Sequence, residues 1–101
     1  MKSKNSQIIA RRVAAVFSIL SDPTRCRIIM FLSTLKPGEG RCVYEIAEAI
    51  GLTHSATSHQ LNKMERLGIV ECYREGQMMC YYLTNSSFVN KLLSALRLFY
   101  K

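Results

Sequence analysis

The chain has 101 residues, with 14 Lys and Arg against 7 Asp and Glu, for a formal charge of +7 at neutral pH. That length holds one domain with a real core, small enough for a dimer to help it, and the basic excess points to a polyanion partner. No apolar run reaches the roughly 18 residues that span a bilayer, which excludes a membrane helix.

Residues 1–6 are polar and lack the apolar stretch and small-residue cleavage site of a secretory signal, so the expected location is the cytoplasm. From Ser6 to Leu20, apolar residues at Ile9, Val13, Val16, Phe17 and Leu20 carry the 3.6-residue period of a first helix. Asp22-Pro23 then marks a new helix start, with Asp22 as N-cap and Pro23 in the first helical position. This second helix carries Ile28, Ile29, Phe31, Leu32 and Leu35, and residues 36–40 (KPGEG) are loop by composition. A short third helix turns Ile46, Ala47 and Ile50 inward and stops at Gly51.

The next helix differs in kind. At 100° per residue, Thr57, Leu61 and Met64 cluster on one side, and Ser55, His59, Asn62 and Arg66 cluster on the other. The outer stripe contains hydroxyl, amide, imidazole and guanidinium groups and no carboxylate. Such a face suits phosphates and base edges. A short apolar helix, a glycine stop, a tight turn and a polar helix together read as a helix-turn-helix over about 43–67.

Gly68 ends that helix, and two strand-like runs over about 69–84 form a hairpin with its turn at Glu75-Gly76. The register stays open at this point. Pairing of residues 73 and 78 sets Cys72 opposite Met79 and Cys80 opposite Glu71, on opposite sides of the hairpin; a three-residue loop sets the two cysteines opposite each other. The last helix, about 86–100, carries Phe88, Val89, Leu92, Leu93, Leu96, Leu98, Phe99 and Tyr100. That load exceeds one face of a terminal helix, which predicts a second copy packed against it.

The four cysteines, Cys26, Cys42, Cys72 and Cys80, have no C-x-x-C spacing and are expected to be thiols in a reducing compartment, with packing as their default role. Cys72 and Cys80, the closest pair in sequence, are the candidates for a thiol-redox response.

Several stretches in this order and spacing resemble the ArsR/SmtB family of bacterial winged-helix repressors over nearly the whole chain. They are Leu20-Ser21-Asp22-Pro23-Thr24-Arg25, Cys42-Val43-Tyr44-Glu45-Ile46-Ala47, Ser55-Ala56-Thr57-Ser58-His59-Gln60-Leu61, Leu67-Gly68-Ile69-Val70, and Arg74-Glu75-Gly76-Gln77 followed by Tyr81-Tyr82-Leu83. The resemblance implies a homodimer built on the first and last helices (about 6–21 and 86–100), operator binding by the fourth helix and the wing, and release by an inducer, often a metal ion. The family's base-reading positions fall on His54, Ser55, Ser58 and His59. Asn62 and Lys63 lie one turn on, where backbone contacts are expected, and Arg74 and Gln77 flank the wing turn. The angular reading reaches Ser55, His59, Asn62 and Arg66 independently, so both routes meet at Ser55 and His59.

The inducer sites that the resemblance implies are all incomplete. Cys42 matches the first thiol of a Cys-x-Cys pair at the start of the third helix, but Tyr44 stands in place of the second, and residues 1–20 hold no Cys or His. Residues 86–101 hold no Asp, Glu, His or Cys, and the fourth helix holds no Cys. Thiophilic sites need about three or four converging soft ligands, so Cys42 alone is a weak metal candidate, no cofactor is required, and the inducer is left open.

The expectation is therefore an α+β, mostly helical single domain over 1–101, with winged helix-turn-helix order α-α-α-α-β-β-α, acting as a homodimeric repressor on double-stranded DNA with a palindromic operator. The rivals are a winged-helix interaction module without DNA binding and a thiol-redox-responsive regulator. An enzyme is not expected. The only two histidines, His54 and His59, sit together on the DNA-reading helix, and no nucleophile has a positioned base.

Overall fold

The computed structural model describes residues 3–100, so the ends of the expected 1–101 domain lie outside the described residues. The helices are α1 (Ser3–Leu20), α2 (Pro23–Ser33), α3 (Val43–Ile50), α4 (His54–Arg66) and α5 (Ser87–Arg97). The strands are β1 (Arg41–Cys42), β2 (Val70–Glu75) and β3 (Met78–Leu83).

The α1–α2 corner is built by Asp22 and its neighbours. Asp22 Oδ1 accepts a hydrogen bond from the Thr24 amide at 2.8 Å and caps α2, with Pro23 in the first turn. Arg25 reaches back, donating from Nε to the Ile19 carbonyl at 3.0 Å and from Nη2 to the Ser18 carbonyl at 3.2 Å. These carbonyls belong to the last turn of α1, which has no further helical amides to bind them. The capping aspartate also accepts from Gln60 Nε2 of α4 at 3.1 Å, so its side chain ties α2 to α4 while Arg25 ties α2 to α1.

α3 stops at Gly51, and after a turn over residues 51–53 the Thr53 hydroxyl caps α4 by accepting from the Ala56 amide at 3.1 Å. Thr57, Leu61 and Met64 of α4 are buried as their spacing predicts. They join Ile28, Ile29, Ile46, Ile69 and Leu92 in one core. Thr57 fits there because its hydroxyl donates to the Thr53 carbonyl at 2.8 Å, so its own polar group is paired.

The sheet has strand order β1-β3-β2, and both pairings are antiparallel. β1 was absent from the expected element order. Two residues are too short to show any alternation, and what places them is a close approach at Gly40. A Cβ there would lie 2.7 Å from the Tyr81 carbonyl oxygen and 2.8 Å from the Tyr73 ring, so only glycine lets this segment reach β3.

The hairpin turn also differs from expectation. Glu75 pairs with Met78, so the two loop residues are Gly76 and Gln77 rather than Glu75 and Gly76. Gly76 takes φ +63° as the first loop residue, the position at which a two-residue hairpin turn of this hand demands glycine. Cys72 then pairs with Tyr81 and Cys80 with Tyr73, which is neither of the two expected registers. Cys72 and Cys80 project from opposite faces of the hairpin, because their cross-strand partners are consecutive residues. The pairing of Cys72 with Cys80 as a redox couple is therefore corrected. The thiol that faces Cys80 is Cys42, its register partner on β1.

The apolar load of α5 also divides differently. Val89, Leu92 and Leu96 are buried within the protomer. The exposed surplus lies beyond the helix end, where Leu98 and Phe99 are each 80% exposed. α1 buries only Val16 and Ile19 and leaves Ile9, Val13 and Phe17 in the open.

Candidate nucleic-acid interface

The outward side of α4 carries the expected polar stripe. Ser55, His59, Asn62 and Arg66 are exposed, as are His54 and Lys63, while Ser58 is half-buried where α4 turns toward the wing. Their placement follows from the opposite side of the same helix: with Thr57, Leu61 and Met64 fixed in the core, the remaining directions point to solvent.

The wing comes to the same surface. His54, Ser58 and Asn62 of α4 and Gln77 at the hairpin turn line one cleft, floored in part by Met78 and Tyr81. Arg74, on β2 before the turn, is exposed. Of the expected DNA-contact residues, His54, Ser58, Asn62 and Gln77 share this cleft, whereas Ser55, His59, Lys63, Arg66 and Arg74 lie outside its lining.

One residue in the site was not expected. The Tyr81 hydroxyl donates to Asn62 Oδ1 at 3.1 Å, joining β3 to the middle of α4. Burial raises the Tyr81 phenol to about 12, followed by the effect of Cys72, so it stays a donor at any physiological pH. With Asn62 Oδ1 held in this way, the side chain offers its NH₂ group outward, which matches acceptors such as phosphate oxygens. In the sequence the tyrosine belongs to a strand-like run and to a family-like stretch, but nothing in its local pattern shows that it reaches α4.

The charges on this surface are uncompensated. Among the described residues the carboxylate ion pairs are Arg25–Asp22 and Arg41–Glu39, so Lys63, Arg66 and Arg74 have no carboxylate within pairing distance. Desolvating them against a polyanion breaks no existing pair.

A polar helix presented as the second member of a helix-turn-helix, flanked by a two-stranded wing, defines a winged helix-turn-helix DNA-binding protein. Residues 22–71 match the family profile described as bacterial regulatory protein, arsR family. The chain is 33% identical over 89 residues to the cadmium resistance transcriptional regulatory protein CadC of Listeria innocua, covering 88% of this chain and 72% of that protein. It belongs to the ArsR family and is a DNA-binding transcriptional regulator.

Solved structures agree on the fold. The transcriptional repressor BigR from Xylella fastidiosa superposes with a TM-score of 0.81 at 24% identity, over 97% of this chain and 93% of that one. The homodimeric winged helix-turn-helix DNA-binding domain of Mb0332 from Mycobacterium bovis gives 0.69 at 26% identity, over 96% and 85%. No helix among the described residues is long and apolar enough to cross a membrane.

Proposed function

We propose that this protein is a cytoplasmic homodimeric repressor that binds a palindromic operator and leaves it in response to a signal. The observation that carries the reading is the exposed, carboxylate-free outer stripe of α4, next to a cleft in which His54, Ser58 and Asn62 of the same helix meet Gln77 of the wing. His54, Ser55, Ser58 and His59, at the start of the helix, are assigned to base edges. Asn62, Lys63 and Arg66 are assigned to phosphates farther along, and Arg74 and Gln77 to the backbone beside the wing. Phosphate neutralisation supplies sequence-independent affinity, and paired recognition helices supply the two half-sites.

The dimer is assigned to α1 and the segment after α5, where Ile9, Val13, Phe17, Leu98 and Phe99 are exposed. The Mb0332 domain, of the same fold, is homodimeric, which supports this reading. CadC is named for cadmium resistance, but the ligand sets that the family resemblance implies are incomplete here, with Tyr44 in place of a second thiol and no ligand on α5. We assign no cadmium, zinc or arsenite site of those kinds and no required cofactor.

The test is selection of duplexes from a random pool by the full chain. The expected product is an inverted repeat with half-site centres about one helical turn apart, roughly 10–10.5 base pairs. Retention of the pool without enrichment, or binding that is insensitive to salt, would overturn the reading.

A further inference from the structure

Three sulfurs to which the DNA-reading assignment gives no role converge where β1 and α3 meet β3. Cys42 Sγ and Cys80 Sγ lie 2.9 Å apart, and Cys42 Sγ lies 3.6 Å from Met78 Sδ. Cys42 and Cys80 are register partners on β1 and β3, so the sheet pairing itself brings the two sulfurs together. The arrangement is specified by long-range structure. Cys42 is at once the end of β1 and the N-cap of α3, its amide held by Glu45 Oε1 at 3.0 Å, and Cys80 and Met78, two residues apart on β3, lie on the same sheet face as Cys42.

We propose that Cys42, Cys80 and Met78 form a binding site for a monovalent thiophilic cation, with Cu(I) as the test ion. Two thiolates and a thioether make a soft donor set of the kind such an ion selects. The same set is poor for a divalent ion of tetrahedral preference, which needs three or four nitrogen, thiolate or oxygen ligands. Among the described residues there is no group of three or more His, Cys, Asp and Glu that could hold one.

The approach to the site fits a cation. Cys42 and Cys80 line a cleft of about 410 Å³ that also carries Glu39, Glu45 and Glu75, with Arg41 as its one basic side chain, which is paired with Glu39. On a chain of charge +7 this is a locally acidic mouth. Binding forms two metal–thiolate bonds and releases one proton from each thiol; Met78 joins as a neutral donor, and no electrons are transferred. The thioether donor lies next to Gln77 of the wing turn and lines the α4–wing cleft, as Cys42 does. Occupation therefore couples the start of α3 to the wing and changes DNA affinity. That coupling rests on the DNA-reading assignment of α4 and the wing, whereas the binding site does not.

The test is anaerobic titration of the reduced full chain with Cu(I) against a chromophoric chelator, with native mass spectrometry to count bound metal. One Cu(I) per chain is expected. Cys42→Ser, Cys80→Ser and Cys80→Ala should each lose about 100-fold or more in affinity, and Met78→Leu about tenfold, with Cys26→Ser and Cys72→Ser unchanged. Circular dichroism of each variant separates loss of the site from loss of the fold.

Several outcomes would overturn the site. They are no uptake by the wild type, uptake that survives Cys42→Ser in a folded protein, dependence on Cys72, or a product two hydrogens lighter with no metal, meaning that the thiols have only formed a disulfide. In a second arm, Cu(I) should change affinity for the duplex from the selection experiment at least about tenfold in wild type and not in Cys42→Ser. Unchanged DNA affinity with metal bound removes the coupling and leaves the site. Failure of wild type to select any duplex removes the DNA reading and leaves the metal result standing.

Discussion

The two exposed faces of this chain obey opposite rules. α4 buries Thr57, Leu61 and Met64, and its outer stripe of Ser55, His59, Asn62 and Arg66 gives solvent hydroxyl, imidazole, amide and guanidinium groups. α1 buries two residues of eighteen and gives solvent Ile9, Val13 and Phe17, continued at the other end of the chain by Leu98 and Phe99. The first face is complete as an aqueous surface and becomes specific when a polyanion replaces water. The second is costly in water and is satisfied only by another apolar surface. A helix whose inner side is fully packed and outer side polar reads as a ligand face, and a helix whose inner side is thin and outer side apolar reads as half of an interface.

The largest expected effect comes from breaking the apolar face. Val13→Glu with Phe17→Glu changes residues that are 49% and 52% exposed in the protomer, so helix content should persist while the dimer is lost. Sedimentation at micromolar concentration should change from dimer to monomer, and operator affinity should fall about 10²–10⁴-fold with the loss of the second half-site. Leu92 and Leu96, whose positions on the last helix also suggested an interface, are the wrong targets. Both are buried in the protomer core, and charging them would unfold the chain rather than separate two copies. A double variant that stays dimeric would move the interface away from α1.

Breaking the polar face should have a smaller effect and leave assembly intact. Ser55→Glu or His59→Glu places a carboxylate on the stripe that has none. Specific affinity should fall about 10–100-fold, the equivalent of one good base contact, while sedimentation still shows the dimer. A mobility assay that finds either variant at wild-type strength would remove α4 from base reading.

How much of this was readable in advance depended on distance along the chain. α4 spans thirteen residues, enough for three turns of contrast between Thr57, Leu61, Met64 and Ser55, His59, Asn62, so its orientation was legible from period alone. The Asp22-Pro23 start was legible because capping is chemistry between near neighbours. β1 was not, because its two residues become a strand only against β3, 38 positions away for the Cys42–Cys80 pair. The sulfur cluster was hidden for the same reason. Sequence proximity favoured Cys72 with Cys80, but a two-residue shift in the hairpin, set by where Gly76 must sit, decides which thiols share a face. Tyr81 as the support of Asn62 likewise needs the packed sheet before it has meaning.

The smallest expected effect lies at the joint between the two faces. Asp22 accepts from Gln60 on the recognition helix and pairs with Arg25 at 3.4 Å, while Arg25 holds the Ser18 and Ile19 carbonyls at the end of α1. Desolvation raises the Asp22 carboxyl, but the Thr24 amide, Arg25 and Gln60 together outweigh it and hold the group below its ordinary 3.8. A carboxyl depressed by folding contributes its stability above the unfolded value and loses it as pH falls through the folded one. Asp22→Asn retains a good N-cap but removes the charge, so it should cost only about 0.5 kcal/mol at neutral pH. The difference between the two proteins should shrink below pH 3.8 and vanish once Asp22 is protonated in the wild type as well. Denaturant melts of both at neutral and acidic pH measure this. If the gap persists unchanged in acid, the aspartate acts through shape and hydrogen bonding alone, and charge does not connect α1 to α4.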